Sequence, residues 1–563
     1  MKRPHEWLAP DPDRPFQSIT GREWLLVLLI TLAAFALRAW RLNAVGIDHF
    51  DEGVYAFSGL GLMGSDQPSR LYPDQALFSP PLYIALIGLG NFLNGAPSDV
   101  VPFIINVIFG TLTVPLLWWF TRPSFGPEAG VGAAVLLAAN EFHISLVRTA
   151  LTDTSFAFLF VLALGLIAVA VEKRRFTTAL IAGAAVGLAW NTKYHGWFAG
   201  MIAAVAVVPW TLLRDPKRLY WLRPVGIVFF VGVTAILCYL PWAWYIQEQI
   251  GYDALARYQL TNLRPGYLNN LWQQFGNQSF LEGPFTRASI PLAFAAALFV
   301  TERRDWTRRL GFSLAIACIL SIVLGGAATI AIGAAWGFGI LLGKLRDFRA
   351  WLVIGWATVF VLSTPLYTPF ARLVLPTTLV SMVLCAIALD GVLNGNFGKG
   401  RQFSPSPLVA ASIGALVVFL VGLFLPDFSS PWRPSRSVAN AATTMTSLIP
   451  EGARTVVLAE PAAAYYLHTA NRPAFERIED PALIADLTEP VYVVAGRYAR
   501  VSPPLRNGLA DLESRLTLLA RLPMHPKDQR LLDDKNPTGA RAYLQTPDES
   551  YELILYRLNP SSP

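Results

Sequence analysis

Apolar blocks close to twenty residues long recur through residues 23–425, and this repetition constrains the fold more than any other feature of the chain. A helix of about 20 apolar residues crosses the ~30 Å hydrocarbon core of a bilayer. Charged residues make up only 15% of the chain, whereas ordinary soluble domains contain about 25%. We therefore expect a mainly α, polytopic membrane helical bundle with about 12–13 transmembrane helices. The candidate blocks are 23–41, 100–121, 128–147, 152–172, 177–192, 196–213, 225–246, 289–300, 310–324, 326–343, 350–364, 373–393 and 407–425.

Basic residues concentrate in every other loop between these blocks. The basic loops are 171–176, 214–223, 302–309, 343–349 and 397–403. The first intervening loop, 42–99, has a single basic residue, Arg70. Because cytoplasmic loops carry an excess of Lys and Arg, this alternation predicts a multi-pass protein of the cell (inner) membrane with a cytoplasmic N-terminal tail, residues 1–22. A long polar tail before the first block favours an uncleaved helix over a signal peptide.

The apolar segment 80–95 is too short for an ordinary span, and counting it as one would place the basic loops outside. We predict an interfacial or re-entrant helix that begins at Pro80 and Pro81. The membrane domain is then 23–425, with interfacial helices in its first outer loop.

The chain changes character after the last apolar block, since residues 427–563 are polar. Short β-like runs occur there at 455–459, 490–496, 515–522 and 551–558, with helix-like segments between them. This pattern predicts a small α/β domain, which the topology places on the extracytoplasmic side. The three cysteines lie inside apolar blocks and indicate no disulfide framework.

Ionisable residues cluster where the blocks meet the predicted outer face. Such groups cost free energy at membrane depth unless they are paired or face water, so they are candidates for function. Individually they have simpler interpretations: Asp153 as a helix cap, Lys193 and Arg372 as snorkelling side chains, and the histidines as interfacial residues. The clusters are Asp48, His49, Asp51, Glu52 and Tyr55; Glu141, His143, Arg148 and Asp153; Lys193, Tyr194 and His195; Tyr367 and Arg372; and, in loop 248–288, Arg257, Arg264 and Arg287.

These residue types suit chemistry on a lipid-linked phosphate. The chain has neither a P-loop nor a GxGxxG motif, so nothing indicates a nucleotide donor. Arg and Lys bind phosphate at headgroup depth, and a carboxylate takes the proton of an attacking hydroxyl. The net charge of +7 follows from the basic loops and indicates no nucleic-acid partner.

Several motifs resemble, in order and spacing, those of the GT-C membrane glycosyltransferases. The nearest branch is that of the protein O-mannosyltransferases and aminoarabinose transferases. Its acidic first-loop motif resembles "HFDEGVYAFSGLGLM" (49–63), and its Pro-Pro-Leu motif resembles "SPPLYIALIG" (79–88). Further resemblances are "RTALTD" (148–153), "TKYHG" (192–196), "RLVLP" (372–376) and "YYLHTANRP" (465–473).

The resemblance implies inverting transfer of a sugar from a polyprenyl-phosphate donor to a hydroxyl of a lipid, glycan or protein acceptor, on the extracytoplasmic face. Asp51 would be the general base, and Glu52 and Asp153 would orient the acceptor, the base or a metal. The candidate substrate-binding residues are Tyr55, Arg148, Lys193, His195, Arg264, Tyr367 and Arg372. A cofactor is not identified; a divalent cation stays open, with Asp51, Glu52, His143 and Asp153 as candidate ligands.

The chain departs from parts of this pattern. Ser79 stands where the aminoarabinose branch has Lys, and residues before 425 hold no extra sugar-binding module of the mannosyltransferase kind. No "WWD" motif occurs in the tail, which argues against an asparagine-linked oligosaccharyltransferase. The alternative is a transporter or flippase of a lipid-linked sugar, although such proteins place polar groups near the midplane and show paired repeats. A scaffold or receptor is a third hypothesis.

Overall fold

The computed structural model of the chain describes residues 19–62, 79–214, 222–281, 326–393, 432, 434–470, 475–477, 490–524 and 552–560. Within these ranges the chain is mainly helical. The helices are α1 Gly21–Ala39, α2 Phe50–Gly61, α3 Leu82–Asn94, α4 Val101–Phe125, α5 Pro127–Ala139, α6 Glu141–Val147, α7 Thr152–Lys173, α8 Phe176–Trp190, α9 Phe198–Arg214, α10 Leu222–Gln249, α11 Tyr252–Thr261, α12 Tyr267–Leu281, α13 Gly326–Leu341, α14 Phe348–Ser363, α15 Leu375–Leu393, α16 Ser437–Leu448, α17 Pro461–Thr469, α18 Arg497–Val501 and α19 Pro503–Asp511.

Six helical stretches in the described ranges are long and apolar enough to cross a membrane, and the bent pair α5–α6 makes a seventh if it is one span. The six are Gly21–Ala44, Val101–Phe125, Thr152–Lys173, Leu222–Gln249, Phe348–Leu366 and Ala371–Gly391. Ten of the thirteen predicted blocks coincide with helices. Blocks 289–300, 310–324 and 407–425 lie outside the described residues. The mainly α, polytopic architecture is thus confirmed, and the segment 80–95 forms helix α3.

The chain divides into two compact units. The first consists of Met1–Trp40, Val107–Val147 and Thr152–Pro431, and the second of Arg41–Asn106, Arg148–Leu151 and Trp432–Pro563. The second unit therefore joins most of the predicted first outer loop to the C-terminal region.

Small side chains bring helices of the first unit close together. Helix α8 packs against α7 and α10. A Cβ atom on Gly183 would come within 2.5 Å of Thr234, and one on Gly187 within 2.4 Å of Cys238. Glycine at these two positions lets the α8 and α10 backbones approach, as is usual between helices in membranes.

A buried arginine supports the 61° break between α5 and α6. Arg38, near the end of α1, donates to the carbonyl oxygens of Leu137 and Ala138 at 3.0 and 3.1 Å. These carbonyls belong to the last turn of α5, where helical carbonyls lack i+4 partners; that of Leu137 also accepts the N–H of the cap residue Asn140 at 3.2 Å. Arg38 therefore satisfies the end of α5 and fixes α1 against the break.

A five-stranded sheet organises the C-terminal part of the second unit. Its strands are β1 Thr455–Leu458, β2 Phe475–Arg477, β3 Val491–Ala495, β4 Leu516–Pro523 and β5 Glu552–Leu558, in the order β2-β1-β3-β5-β4. Strands β2, β1 and β3 are parallel, and β5 and β4 add antiparallel to β3. Side chains such as Val456, Val493 and Leu558 form its buried core. All four predicted β-like runs are strands, and the sequence analysis missed only the short β2.

Candidate functional site

The first predicted cluster forms the beginning of α2. His49 is the N-cap residue, and its Nδ1 accepts the N–H of Asp51 at 3.1 Å. Glu52 completes a capping box, because its Oε2 accepts the N–H groups of Asp48 and His49 at 3.0 and 3.1 Å. A capping residue followed three positions later by Glu favours this helix start.

Both carboxylate oxygens of Glu52 accept backbone N–H groups. Its Oε1 accepts the N–H of Ala150 at 2.8 Å, so the side chain also fixes the turn at 148–151. The side chain is only 4% exposed. Burial raises the pKa of Glu52 to about 7, and the charge of Asp51 adds to this, although the three N–H groups act in the opposite direction.

Asp51 and Tyr55 occupy different environments on the same helix. Asp51 is partly exposed, whereas Tyr55 is 3% exposed. The Tyr55 ring packs edge-on against Tyr83, with centroids 6.0 Å apart. Tyr83 in turn donates to the carbonyl of Pro102 and accepts from Asn106. Tyr55, a predicted substrate-binding residue, is therefore part of the packed interior of this unit.

Arg148 is buried in the same unit. Its Nη2 donates to the carbonyl oxygen of Arg41 at 3.5 Å. Burial, together with the neighbouring charge of Arg41, lowers the pKa of Arg148 to about 10, so the guanidinium remains charged at neutral pH. Asn106 shapes the adjoining turn, since its amide donates to the carbonyls of Thr149 and Leu151, each at 2.7 Å.

The first unit contains a second acidic position, Asp153, in the first turn of α7, where a helix favours negative charge. Lys193 donates to its Oδ1 as an ion pair. Its Oδ2 and the neighbouring Thr154 hydroxyl are buried and have no hydrogen-bond partner among the described residues. The structure thus brings Asp153 and Lys193 together and leaves one carboxylate oxygen with capacity to accept.

His195, two residues after Lys193, packs among aromatic rings. Its ring lies 4.7 Å from Phe156, 5.8 Å from Phe198 and 6.2 Å from Phe360, measured between centroids. The turn that carries Lys193 and His195 closes at Gly196, where a Cβ would come within 2.2 Å of the Ala189 carbonyl carbon. A residue with a side chain does not fit there without displacing the backbone.

The predicted residues Arg264 and Tyr367 of this unit lie on two segments whose backbones pair. Leu263 and Tyr367 form an antiparallel bridge, and the N–H of Arg264 donates to the carbonyl oxygen of Leu366 at 3.0 Å. Residues Arg264 and Tyr367 are thereby held on adjacent segments. The guanidinium of Arg372 lies 5.5 Å from the centroid of the Phe370 ring.

His143 is a poor metal ligand in this arrangement. Arg38 donates to its Nδ1 at 2.8 Å, and because a guanidinium is only a donor, the proton of a neutral His143 must be on Nε2. Among the described residues, no group of three or more His, Cys, Asp or Glu side chains lies close enough to hold a metal ion.

The comparisons with known proteins agree with the fold. The family model of the dolichyl-phosphate-mannose-protein mannosyltransferases matches residues 79–245. No curated protein shows significant sequence similarity to the chain. ArnT from Cupriavidus metallidurans, solved bound to undecaprenyl phosphate, is similar with 12% identity and a TM-score of 0.58 over 96% of this chain and 98% of that chain. The apo oligosaccharyltransferase from Archaeoglobus fulgidus is similar with 16% identity and a TM-score of 0.50 over 85% of this chain and 70% of that chain.

The match to ArnT extends over nearly the whole of both chains, so it includes the membrane helices and the C-terminal sheet. The family match extends from α3 to near the end of α10, and this range includes Arg148, Asp153, Lys193 and His195. These findings confirm the resemblance on which the sequence interpretation depends: the chain has the fold of the GT-C membrane glycosyltransferases and resembles their mannosyltransferase and ArnT-like branch.

Proposed function

We propose that this protein transfers a sugar from a polyprenyl-phosphate donor to an acceptor hydroxyl, with inversion, on the extracytoplasmic face of the cell membrane. The nearly full-length likeness to ArnT, a structure that holds undecaprenyl phosphate, supports the donor class. The match to the dolichyl-phosphate-mannose-protein mannosyltransferase model supports the same class of reaction.

We assign the general base by comparing the burial and hydrogen bonds of the adjacent acids Asp51 and Glu52. Glu52 is buried and accepts three backbone N–H groups, whereas Asp51 is partly exposed. A general base must reach the proton that it removes, and of these two residues Asp51 is partly exposed whereas Glu52 is buried. We therefore assign the base to Asp51 and a positioning role to Glu52.

The reaction is a single displacement. The acceptor oxygen attacks the anomeric carbon as the bond from this carbon to the phosphate oxygen breaks, and Asp51 takes the hydroxyl proton. The polyprenyl phosphate leaves as an anion with the bonding electron pair, so no acid needs to protonate it. Lys193, Arg148, Arg264 and Arg372 are the candidate cations for the phosphate, and Asp153 orients the sugar or the acceptor through its second oxygen. A panel of hexose and pentose donors identifies which class of sugar is transferred.

The test uses purified protein, a panel of radiolabelled polyprenyl-phosphate sugars, and acceptor-containing membranes from cells that lack this protein. We expect wild-type protein to transfer label from at least one donor and to release polyprenyl phosphate in equal amount. Asp51→Asn should lower kcat by about 10³-fold, within the range that general bases contribute. Asp511→Asn, which changes an exposed acid on α19, is the matched control and should retain wild-type activity.

Two results would contradict the proposal. Full activity of Asp51→Asn would exclude this residue as the base. Movement of intact donor across vesicle membranes without release of polyprenyl phosphate would instead indicate a flippase.

The proposed sidedness has its own test in a variant without the native cysteines. A cysteine at Asn94, exposed at the end of α3, should react with an impermeant thiol reagent added to intact cells. A cysteine at Arg175, exposed between α7 and α8, should react only after the cells are opened. The reverse pattern would place the proposed site on the cytoplasmic face.

A further inference from the structure

The segment that leads into α2 is attached by its backbone to the C-terminal part of the second unit. Val45 and Ser435 form a parallel bridge. The N–H of Gly46 donates to the Ser435 carbonyl at 2.6 Å, and the N–H of Ser435 donates to the Ala44 carbonyl at 2.9 Å. Residues almost four hundred positions apart in the chain therefore pair directly.

Asp48 adds a side-chain attachment. It is 3% exposed. Its Oδ1 accepts the N–H of Val438 at 3.2 Å, and its Oδ2 accepts the hydroxyl of Ser435 at 3.1 Å. Val438 is in the first turn of α16, so a first-loop carboxylate satisfies one of the free N–H groups of a C-terminal helix.

A three-membered cluster of Asp99, Arg436 and Tyr466 fixes the same segment. The Tyr466 hydroxyl accepts the N–H of Ile47 at 2.8 Å and donates to Asp99 Oδ2 at 2.9 Å. Arg436 donates to the same oxygen at 2.6 Å and to the Val45 carbonyl at 3.0 Å. Burial and the charge of Asp99 raise the pKa of Tyr466 well above its usual range, so the hydroxyl keeps its proton and remains a donor.

Helix α2 itself rests on α17. A Cβ on Gly53 would come within 2.3 Å of the Ala462 nitrogen and 2.5 Å of the Pro461 carbonyl carbon. Helix α17 begins two residues after Ala459, at the carboxyl end of parallel strand β1. This end of a parallel sheet is where α/β domains usually bind ligands, and here it contacts α2.

We propose that the C-terminal α/β domain holds Asp51 in its productive position, with Asp99, Tyr466 and Arg436 as the positioning residues. Asp51 lies three residues after Asp48 and two before Gly53, so the chain is anchored to this domain on both sides of it. The proposal rests on the proposed function, because it assumes that Asp51 takes part in transfer. The alternative is a purely structural role, in which these contacts stabilise the fold of the second unit and have no effect on transfer.

Kinetics separate the two roles. Tyr466→Phe removes the hydroxyl that connects Ile47 to Asp99, and Asp99→Asn weakens the bond to Arg436. If these contacts position the base, kcat should fall about tenfold or more, because the bound donor then lacks a well-placed base. The donor KM should stay within about twofold, because neither variant changes a candidate donor-binding residue. Tyr492→Phe is the matched control, since Tyr492 lies on β3 and its hydroxyl has no hydrogen bond with any described residue.

Hydrogen exchange measured by mass spectrometry provides a second readout that does not need activity. In Tyr466→Phe and Asp99→Asn, peptides that span residues 44–57 should exchange faster than in wild type. Peptides from β1 and β3 should exchange at the wild-type rate, which would show that the domain remains folded. Tyr492→Phe should match wild type in all of these peptides.

The possible outcomes are distinct. Wild-type kcat in both variants, with Asp51→Asn inactive, would overturn the positioning role and leave the proposed function intact. Unchanged exchange over residues 44–57 would overturn the anchoring itself. Full transfer by Asp51→Asn would contradict the proposed function and, with it, any purpose in positioning that residue for transfer. Slower kcat together with faster exchange confined to residues 44–57 would support the proposal.

Discussion

In the second compact unit, the carboxylates of Asp48, Glu52 and Asp99 all accept hydrogen bonds from backbone or side-chain donors. Asp153 in the first unit has one oxygen on Lys193, and its other oxygen is buried with no partner among the described residues. A buried acceptor that lacks a hydrogen bond costs free energy, so this oxygen of Asp153 differs energetically from the satisfied carboxylate oxygens of the second unit. The comparison teaches that the hydrogen bonds of these acids, and not their residue type, distinguish them.

The largest expected effect on stability comes from breaking the pair in the first unit. Lys193→Met leaves Asp153 buried without its cation, and we expect a loss of stability of about 3 kcal/mol and a loss of transfer of about 10²-fold. Both are measurable, by thermal unfolding in detergent and by donor turnover. The double variant Asp153→Asn/Lys193→Met leaves neither charge buried, so it should recover stability and remain inactive. Recovery of transfer in the double variant would show that the pair serves folding alone.

In the second unit, Gly53→Ala should destabilise the contact between α2 and α17. The added methyl group would overlap the backbone of α17, and we expect a cost of about 2–3 kcal/mol, as for other overpacked sites. Gly226→Ala is the matched control, because a Cβ there meets no atom within 4 Å. An unfolding midpoint equal to wild type in Gly53→Ala would mean that the two helices are not packed as closely as described.

Glu52→Gln should have a smaller effect, chiefly on stability. The amide oxygen can keep the N–H groups of Asp48 and His49, but the amide nitrogen then faces the N–H of Ala150. We expect the free energy of unfolding to fall by about 1–2 kcal/mol, with Glu451→Gln, an exposed acid of the same unit, as the control. A variant of normal stability that has lost all transfer would assign Glu52 to the chemistry instead.

The same carboxylate also predicts a pH dependence of stability. Glu52 has a pKa of about 7 in the folded protein and about 4.3 when unfolded. Between these values the folded state keeps the proton that the unfolded state has released, so this residue's contribution to stability falls as the pH rises and is constant above about 7. The difference in unfolding midpoint between wild type and Glu52→Gln should therefore vary between pH 5 and 7. A difference that is constant over this range would contradict the raised pKa.

The sequence predicts the helices and strands, because these depend on local patterns of apolar residues. Apolar length predicted ten helices in the described ranges, and β-branched runs such as "PVYVVAG" predicted strands. The same reasoning found Asp153 and Lys193, since both lie at block ends. Short β2 was missed because three residues give no periodicity.

Contacts between distant residues were beyond this reasoning. Nothing local indicates that Tyr466 donates to Asp99, or that Glu52 accepts from Ala150. The family resemblance implies a catalytic role for Glu52 beside Asp51, and only the hydrogen bonds of Glu52 indicate a structural use. Likewise, no local pattern indicates that Arg38, 105 residues earlier, donates to Nδ1 of the candidate metal ligand His143.

Arg38 has a consequence for how the chain is made. Its acceptors at Leu137, Ala138 and His143 are synthesised about a hundred residues after it, so the first helix reaches the translocon before they exist, with the guanidinium bound to the Ala34 carbonyl of its own helix. Until α5 follows, water or lipid headgroups must solvate that charge. Nascent chains that end before residue 137 should therefore hold α1 shallow in the bilayer, and its final depth is reached only when the later helices arrive.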